Sequence, residues 1–233
     1  MLELKEKTRG QEYIKKRPKN PIKFKIQLNE EQKQAKTIIM ENEISVLLGA
    51  AGSGKTLLAC QIALGGLFTK QFEKIIITRP TVSKEDIGFL PGDMREKMDP
   101  WVQPIYQNMF IMYDKEKIEK TIKDGFIEIV PVSFMRGRTF VNSCIIVDEA
   151  QNITHDQMLM IATRLGKTSK MIICGDTTQI DLKNKGESGL KFLYTVAKRI
   201  NGMATVKLLE NHRSPIVDDL IREYESLSPG ILK

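Results

Sequence analysis

Gly49-Ala50-Ala51-Gly52-Ser53-Gly54-Lys55-Thr56 reads G-x-x-x-x-G-K-T, and its flanks decide what it is. Ile44-Ser45-Val46-Leu47-Leu48 before it is short, β-branched and apolar, as a buried strand requires. Leu57 to Leu64 after it is rich in helix formers. Strand, glycine loop and helix together predict a phosphate-binding loop. Its glycines leave backbone N–H groups free to point inward at phosphate oxygens, and the helix start adds partial positive charge. Gly49, Ala50, Ala51, Gly52, Ser53 and Gly54 form the expected cradle. Lys55 is placed to bridge β- and γ-phosphates, and the Thr56 hydroxyl to ligate Mg²⁺.

The 233 residues, 41% hydrophobic and 28% charged, suit one sizeable core with a possible tail. No apolar run approaches the ~20 residues that a membrane span needs, and the N-terminus lacks a signal-peptide core, so a cytoplasmic protein without a membrane partner is expected. Cys60, Cys144 and Cys174 lie within or beside apolar segments without metal-like spacing, as small buried hydrophobes do. His155 and His212 are isolated and are expected at the surface or at helix starts; Trp101 fits either the core or a contact between subunits.

The net charge of +7 is concentrated at one end. Residues 1–25 hold nine Lys/Arg against three Glu, a net +6, which leaves +1 for the rest. Pro18 and Pro21 oppose helix continuation, so residues 1–21 read as a basic arm or linker ahead of one domain over 22–233. Such an arm suits an anionic partner such as nucleic acid, or serves as a solubilising tail.

From Leu28 the chain alternates. Helices are expected at about 29–39, 55–68, 100–112, 115–123, 154–166, 187–200 and 215–227. Strands are expected at 44–48, 74–78, 127–130, 144–147, 171–174 and 205–208. Apolar strands that do not alternate predict an α/β fold with a parallel sheet covered by helices on both faces. Residues 81–100 form a long connector containing Gly88-Phe89-Leu90-Pro91-Gly92.

Ile145-Ile146-Val147-Asp148-Glu149 is an apolar strand ending in two acids. Ligands of a parallel α/β sheet lie beyond the strand C-termini, so this pair and the phosphate loop should open on one rim. There Asp148 is placed to hold Mg²⁺ and Glu149 to accept a proton from the water attacking the γ-phosphate. Gln179, after the strand ending in Gly175-Asp176, could report the γ-phosphate. Gln32 has two competing roles: the capping-box position after Asn29, and the adenine edge, where an amide pairs bidentately. Arg213 follows the last strand and could stabilise charge on the transferred group.

These stretches resemble the PhoH-like family of phosphate-starvation-inducible ATPases, related to the first lobe of superfamily 1 helicases. The resemblance runs from about Asn29 to Glu225 and is carried by Gly49–Thr56, Thr78-Arg79-Pro80, Gly88–Asp93, Phe134-Met135-Arg136-Gly137-Arg138-Thr139, Val147–Asn152, Thr163–Gly166 and Gly175-Asp176 through Leu182. It implies a RecA-like P-loop fold and hydrolysis of ATP with Mg²⁺ by the residues assigned above. It also implies that Arg79 and Arg138 lie near a face that meets nucleic acid or phosphate, and these two with Arg136 favour a nucleic-acid partner. Asn211-His212-Arg213-Ser214-Pro215 departs from the family's usual Val-Arg-His-Pro-like stretch and is closer to the point where superfamily 1 helicases enter their second lobe. The chain reaches Lys233 about twenty residues after Arg213 without such a lobe. A homo-oligomeric ring, by analogy hexameric, with Arg213 acting in trans or beside the interface, is therefore expected. The leading reading is an ATPase motor or helicase-like remodeller of RNA or single-stranded DNA. The alternatives are a scaffold ring that binds protein and, less favoured, a small-molecule kinase.

Overall fold

The computed structural model describes residues 22–80 and 94–231, with side chains throughout except at 94–101 and 224–231. The expected arm over 1–21, the Gly88–Gly92 stretch and the side chain of Trp101 lie outside the described residues.

Six strands form one sheet: β1 (Ile44–Gly49), β2 (Lys74–Thr78), β3 (Ile127–Ile129), β4 (Ser143–Val147), β5 (Lys170–Gly175) and β6 (Met203–Leu208). Every pairing is parallel, in the order β3-β2-β4-β5-β1-β6. The helices are α1 (Glu30–Glu41), α2 (Lys55–Phe68), α3 (Met94–Met112), α4 (Lys115–Lys123), α5 (His155–Ala162), α6 (Gly189–Ala197) and α7 (Pro215–Ile231). This is the α/β, RecA-like architecture that the sequence predicts.

Both sheet faces are covered, which explains strands without polar alternation. On one face Leu47, Ile75, Ile77, Cys144, Ile146, Ile172 and Cys174 pack with residues of α1, α2, α3 and α4. On the other, Val46, Leu48, Ile76, Ile145, Val147, Met171 and Ile173 pack with Met158 and Ile161 of α5 and Leu190 and Leu193 of α6. All three cysteines are free and buried. No helix among the described residues is long and apolar enough to cross a membrane.

Two helix boundaries differ from the sequence expectation. Helix α3 starts at Met94, within the expected connector, and carries Pro100 and Pro104 in its interior. Each proline removes an i→i−4 donor, which ordinarily costs about 3 kcal/mol. A fully buried stripe of Val102, Ile105, Met109 and Met112 at helical spacing offsets that loss. Helix α5 stops at Ala162 rather than near 166, because the chain there turns to pair with Phe140. Phe140 N–H donates to Arg164 O at 3.0 Å, and Gly166 N–H to Phe140 O at 2.8 Å.

Candidate nucleotide-binding site

The loop joining β1 to α2 turns on two glycines in the left-handed region, Gly52 at φ +89° and Gly54 at φ +82°. A side chain at either position would be strained. Lys55 folds over the loop, donating from Nζ to Gly49 O at 2.7 Å and Ala50 O at 2.9 Å. Its ammonium keeps a third donor. Ser53 Oγ is buried without a hydrogen-bond partner among the described residues.

Sheet order brings the second part of the site to this loop. Strand β5 lies between β1 and β4, so Gly175-Asp176 sits between the phosphate loop and Asp148-Glu149, all at strand C-termini. Thr56 Oγ1 donates to Asp148 Oδ1 at 2.9 Å, joining the first turn of α2 to the end of β4. Asp148 N–H donates to Thr78 O at 2.9 Å and fixes that strand end against β2. Burial raises the Asp148 carboxyl above the usual carboxylate range and the Glu149 charge adds to the rise, while Arg79 and the Thr56 hydroxyl oppose it.

Glu149 has a left-handed backbone, φ +51°. Its Oε1 accepts from Arg79 Nη2 at 3.3 Å and its Oε2 from Gln151 Nε2 at 2.7 Å. Gln151 in turn accepts the Asp176 N–H at 3.1 Å through its Oε1, so one amide spans the ends of β4 and β5. Gln151 belongs to the Val147–Asn152 stretch, but nothing in its spacing marks it as this bridge.

A third wall comes from the two ends of the domain. Glu31 accepts the N–H groups of Leu209 and Glu210 at 2.7 and 3.1 Å, and Asn29 Nδ2 donates to Glu210 Oε2 at 2.6 Å. The segment after β6 is thereby tied to the start of α1. His212 N–H donates to Gly52 O at 3.1 Å, and its ring Nε2 lies 3.4 Å from Gln32 Nε2. His212 is exposed, as expected, and in addition lines the site wall. His155 stands at the start of α5, as expected.

These elements enclose a cleft of about 490 Å³ lined by Gln32, Ala51 and Gly52, Gly54 to Leu57, Asp148, Glu149, Cys174 to Asp176, Gln179 and His212, with Ile26 and Asn108. Gln32 fills the capping-box role expected of it. Its Oε1 accepts the Asn29 N–H at 3.3 Å in a completed capping box, while its Nε2 is turned to Gly54 and His212. Arg213 lies against Gly52 of its own chain rather than along the cleft wall.

The three arginines assigned to an anion-binding face differ in setting. Arg79 pairs with Glu149. Arg138 donates to Glu128 Oε1 at 2.8 Å and stands 4.7 Å above the Phe140 ring. Arg136 is exposed, in a loop that also exposes Phe134 while burying Val132 and Met135.

A phosphate loop, a strand-end Asp-Glu pair and an intervening strand at one rim of a parallel sheet define the P-loop NTPase fold class. Residues 25–225 match the family described as PhoH-like protein, and the chain belongs to that family. It is 41% identical over 197 residues to a PhoH-like protein of Synechocystis, covering 83% of this chain and 60% of that one. It is 42% identical over 207 residues to one from Mycobacterium tuberculosis, covering 86% and 58%. The chain thus spans about 60% of the length of these relatives. Among solved structures it is similar to the Pif1 helicase of Candida albicans, with a TM-score of 0.45, 15% identity, and coverage of 87% of this chain and 44% of that one.

Proposed function

We propose that this chain binds ATP with Mg²⁺ and hydrolyses it, and that hydrolysis drives a motor or remodeller acting on RNA or single-stranded DNA. The observation that carries the reading is the Thr56–Asp148 hydrogen bond at 2.9 Å, with Glu149 opening on the same cleft. A hydroxyl and a carboxylate side by side are the hard oxygen donors that Mg²⁺ prefers, and a divalent cation there would offset the burial of Asp148. When bound, Mg²⁺ supplies neutralisation of charge on the β- and γ-phosphate oxygens. Lys55 binds the same oxygens, exchanging its loop carbonyls for them. Gln32, beside Gly54, reads the base edge. Glu149 holds and accepts the proton of the attacking water. Gln179 lines the γ-phosphate end, and Arg213 steadies the loop from the segment after β6.

The net +6 of residues 1–25 and the exposed Arg136 support a nucleic-acid partner, because phosphate contacts dominate such affinity. Ile216 and Leu220 of α7 and the preceding Leu209 are about 70% exposed, which supports self-association of this chain into a ring. The same residues favour the second reading, a ring ATPase that binds protein instead. Phosphate release with and without single-stranded RNA or DNA, on a sample whose mass in solution is measured, tests both. Stimulation that falls steeply with salt supports the first reading. An unstimulated, oligomeric ATPase supports the second, and a monomer with undiminished turnover removes the ring.

A further inference from the structure

The cleft extends past the phosphate loop to three side chains that the chemistry above leaves unused. Ile26 lies in the segment ahead of α1, Leu57 on the first turn of α2 and Asn108 on α3, and all three line the cleft. Thr56 is turned to Asp148 at the strand end, and Leu57, the next residue, points about 100° round the helix from it. The three residues therefore sit on a different side of α2 from the Asp148-Glu149 pair.

One segment ties them together. Lys25 N–H donates to Met112 O at 2.9 Å, and Gln61 Nε2 donates to Ile26 O at 3.1 Å, so residues 25 and 26 are strapped to α3 and to α2. Leu57 precedes Gln61 by four residues, and Asn108 precedes Met112 by four. Each cleft residue thus stands about one turn from the strap's anchor on its own helix. The strap, α2 and α3 form a slot, and Gln32 and Gly54 line the same cleft. Ile26 and Leu57 are half-buried against the core and offer the slot apolar surface, as the faces of a flat base require.

Two amides meet this cleft with opposite polarity. Gln32 directs Oε1 to the Asn29 N–H and Nε2 to Gly54, so it presents a donor. Asn108 does the reverse. A carbonyl can only accept, so the 2.7 Å contact with Pro104 O is made by Nδ2, and the atom left for a ligand is Oδ1. One donor and one acceptor match adenine, whose 6-amino group donates beside the N7 acceptor. Guanine has an oxygen in place of that amino group and offers two acceptors on this edge.

We propose that the slot of Ile26, Leu57 and Asn108 holds the nucleobase, and that Asn108 is a specificity-determining residue whose Oδ1 accepts from the 6-amino group of adenine. Guanine in the same pose sets its O6 against Oδ1, acceptor to acceptor, and leaves both without a hydrogen bond. The proposal rests on the ATP-binding reading above, and it divides between Asn108 and Gln32 a task for which the sequence points to Gln32 alone.

The test is kcat and KM for ATP, GTP, 2′-deoxy-ATP and purine riboside triphosphate, which lacks the 6-amino group, for the full wild-type chain and Asn108→Ala. Competition of each nucleotide against a fluorescent ATP analogue gives the same comparison by binding, and thermal melts are measured alongside. Wild type should favour ATP over GTP and over the analogue without the amino group by roughly tenfold each, the cost of leaving one polar group of the site unpaired. Asn108→Ala should bring ATP down to the level of that analogue and leave the analogue itself unchanged. A merely structural asparagine would lower all four nucleotides alike, which overturns the proposal. Loss of the preference for ATP over 2′-deoxy-ATP alone assigns Asn108 to the ribose and overturns it too. A wild type that treats ATP and the analogue without the amino group equally overturns it with no variant needed and leaves the ATPase reading standing. A wild type that neither binds nor hydrolyses any of the four overturns both.

Discussion

The stem of Arg213 lies on the backbone of Gly52, so close that a Cβ at position 52 would sit 2.6 Å from Arg213 Cγ and 2.8 Å from Asn211 Oδ1. The segment after the last strand therefore packs on the phosphate loop itself. Gly52→Ala adds both that clash and a strained φ of +89°. The expected outcome is a loss of nucleotide affinity of about tenfold or more, roughly 1.4 kcal/mol, with the melting temperature lowered by only a few degrees. Titration with a fluorescent ATP analogue checks it.

Lys55 and Glu149 should separate binding from turnover. Lys55→Ala removes the ammonium that now holds Gly49 O and Ala50 O, so nucleotide binding weakens and hydrolysis is abolished. Glu149→Gln keeps the size and the cleft while removing the proton acceptor, so ATP stays bound and turnover stops. Calorimetric binding beside a phosphate-release assay distinguishes the two. Normal hydrolysis by Glu149→Gln would refute the base assignment.

Gln32→Ala should reduce discrimination between ATP and GTP if the amide reads the base edge as proposed, because its Nε2 faces Gly54 at the end of the phosphate loop. It should also lower stability by about 1 kcal/mol through loss of the capping box. The ratio of kcat/KM for the two nucleotides is the readout, and an unchanged ratio assigns Gln32 to capping alone.

Lys170 is a buried lysine that serves as a cap. Its Nζ donates to Ile39 O at 2.7 Å, to Met40 O at 3.3 Å and to Asn42 O, satisfying carbonyls at the end of α1. Burial lowers its pKa, so part of that gain is offset by the cost of enclosing a charge. Lys170→Met should lower stability by about 2 kcal/mol in urea unfolding while leaving ATP affinity unchanged.

Burial pushes the Cys144 thiol up to about 12 from an ordinary 9.0. The folded value lies above the unfolded one, so the unfolded chain releases this proton first as pH rises. The contribution is intact below the unfolded pKa and is lost between about pH 9 and 12, by roughly 1.4 kcal/mol per pH unit. Urea midpoints at pH 8 and pH 10 should therefore fall less in Cys144→Ala than in wild type. Equal falls would mean that the thiol is already solvated in the native state.

Much of the fold could be read from short-range pattern. The phosphate loop is legible because all its atoms come from one contiguous stretch whose glycines dictate the local path. Strands 74–78 and 144–147 are legible because buried parallel strands are continuous apolar runs. The start of α3 is not, because Pro100 and Pro104 speak for a break, and what offsets them is the burial of α3's own apolar stripe in the cluster it shares with α2 and the sheet. The end of α5 was missed for a related reason: Phe140, from a distant loop, takes over the backbone groups of Arg164 and Gly166.

The sequence alone determined that a phosphate-loop motif precedes a strand ending in Asp148-Glu149, since each is set by neighbouring residues and by backbone conformation. Tertiary structure decided how those parts face one another. It placed β5 between them, brought Arg79 to Glu149 across 70 residues, and set His212 beside Gln32 across 180. Such contacts depend on the order in which strands and helices pack, and local periodicity carries no record of that order.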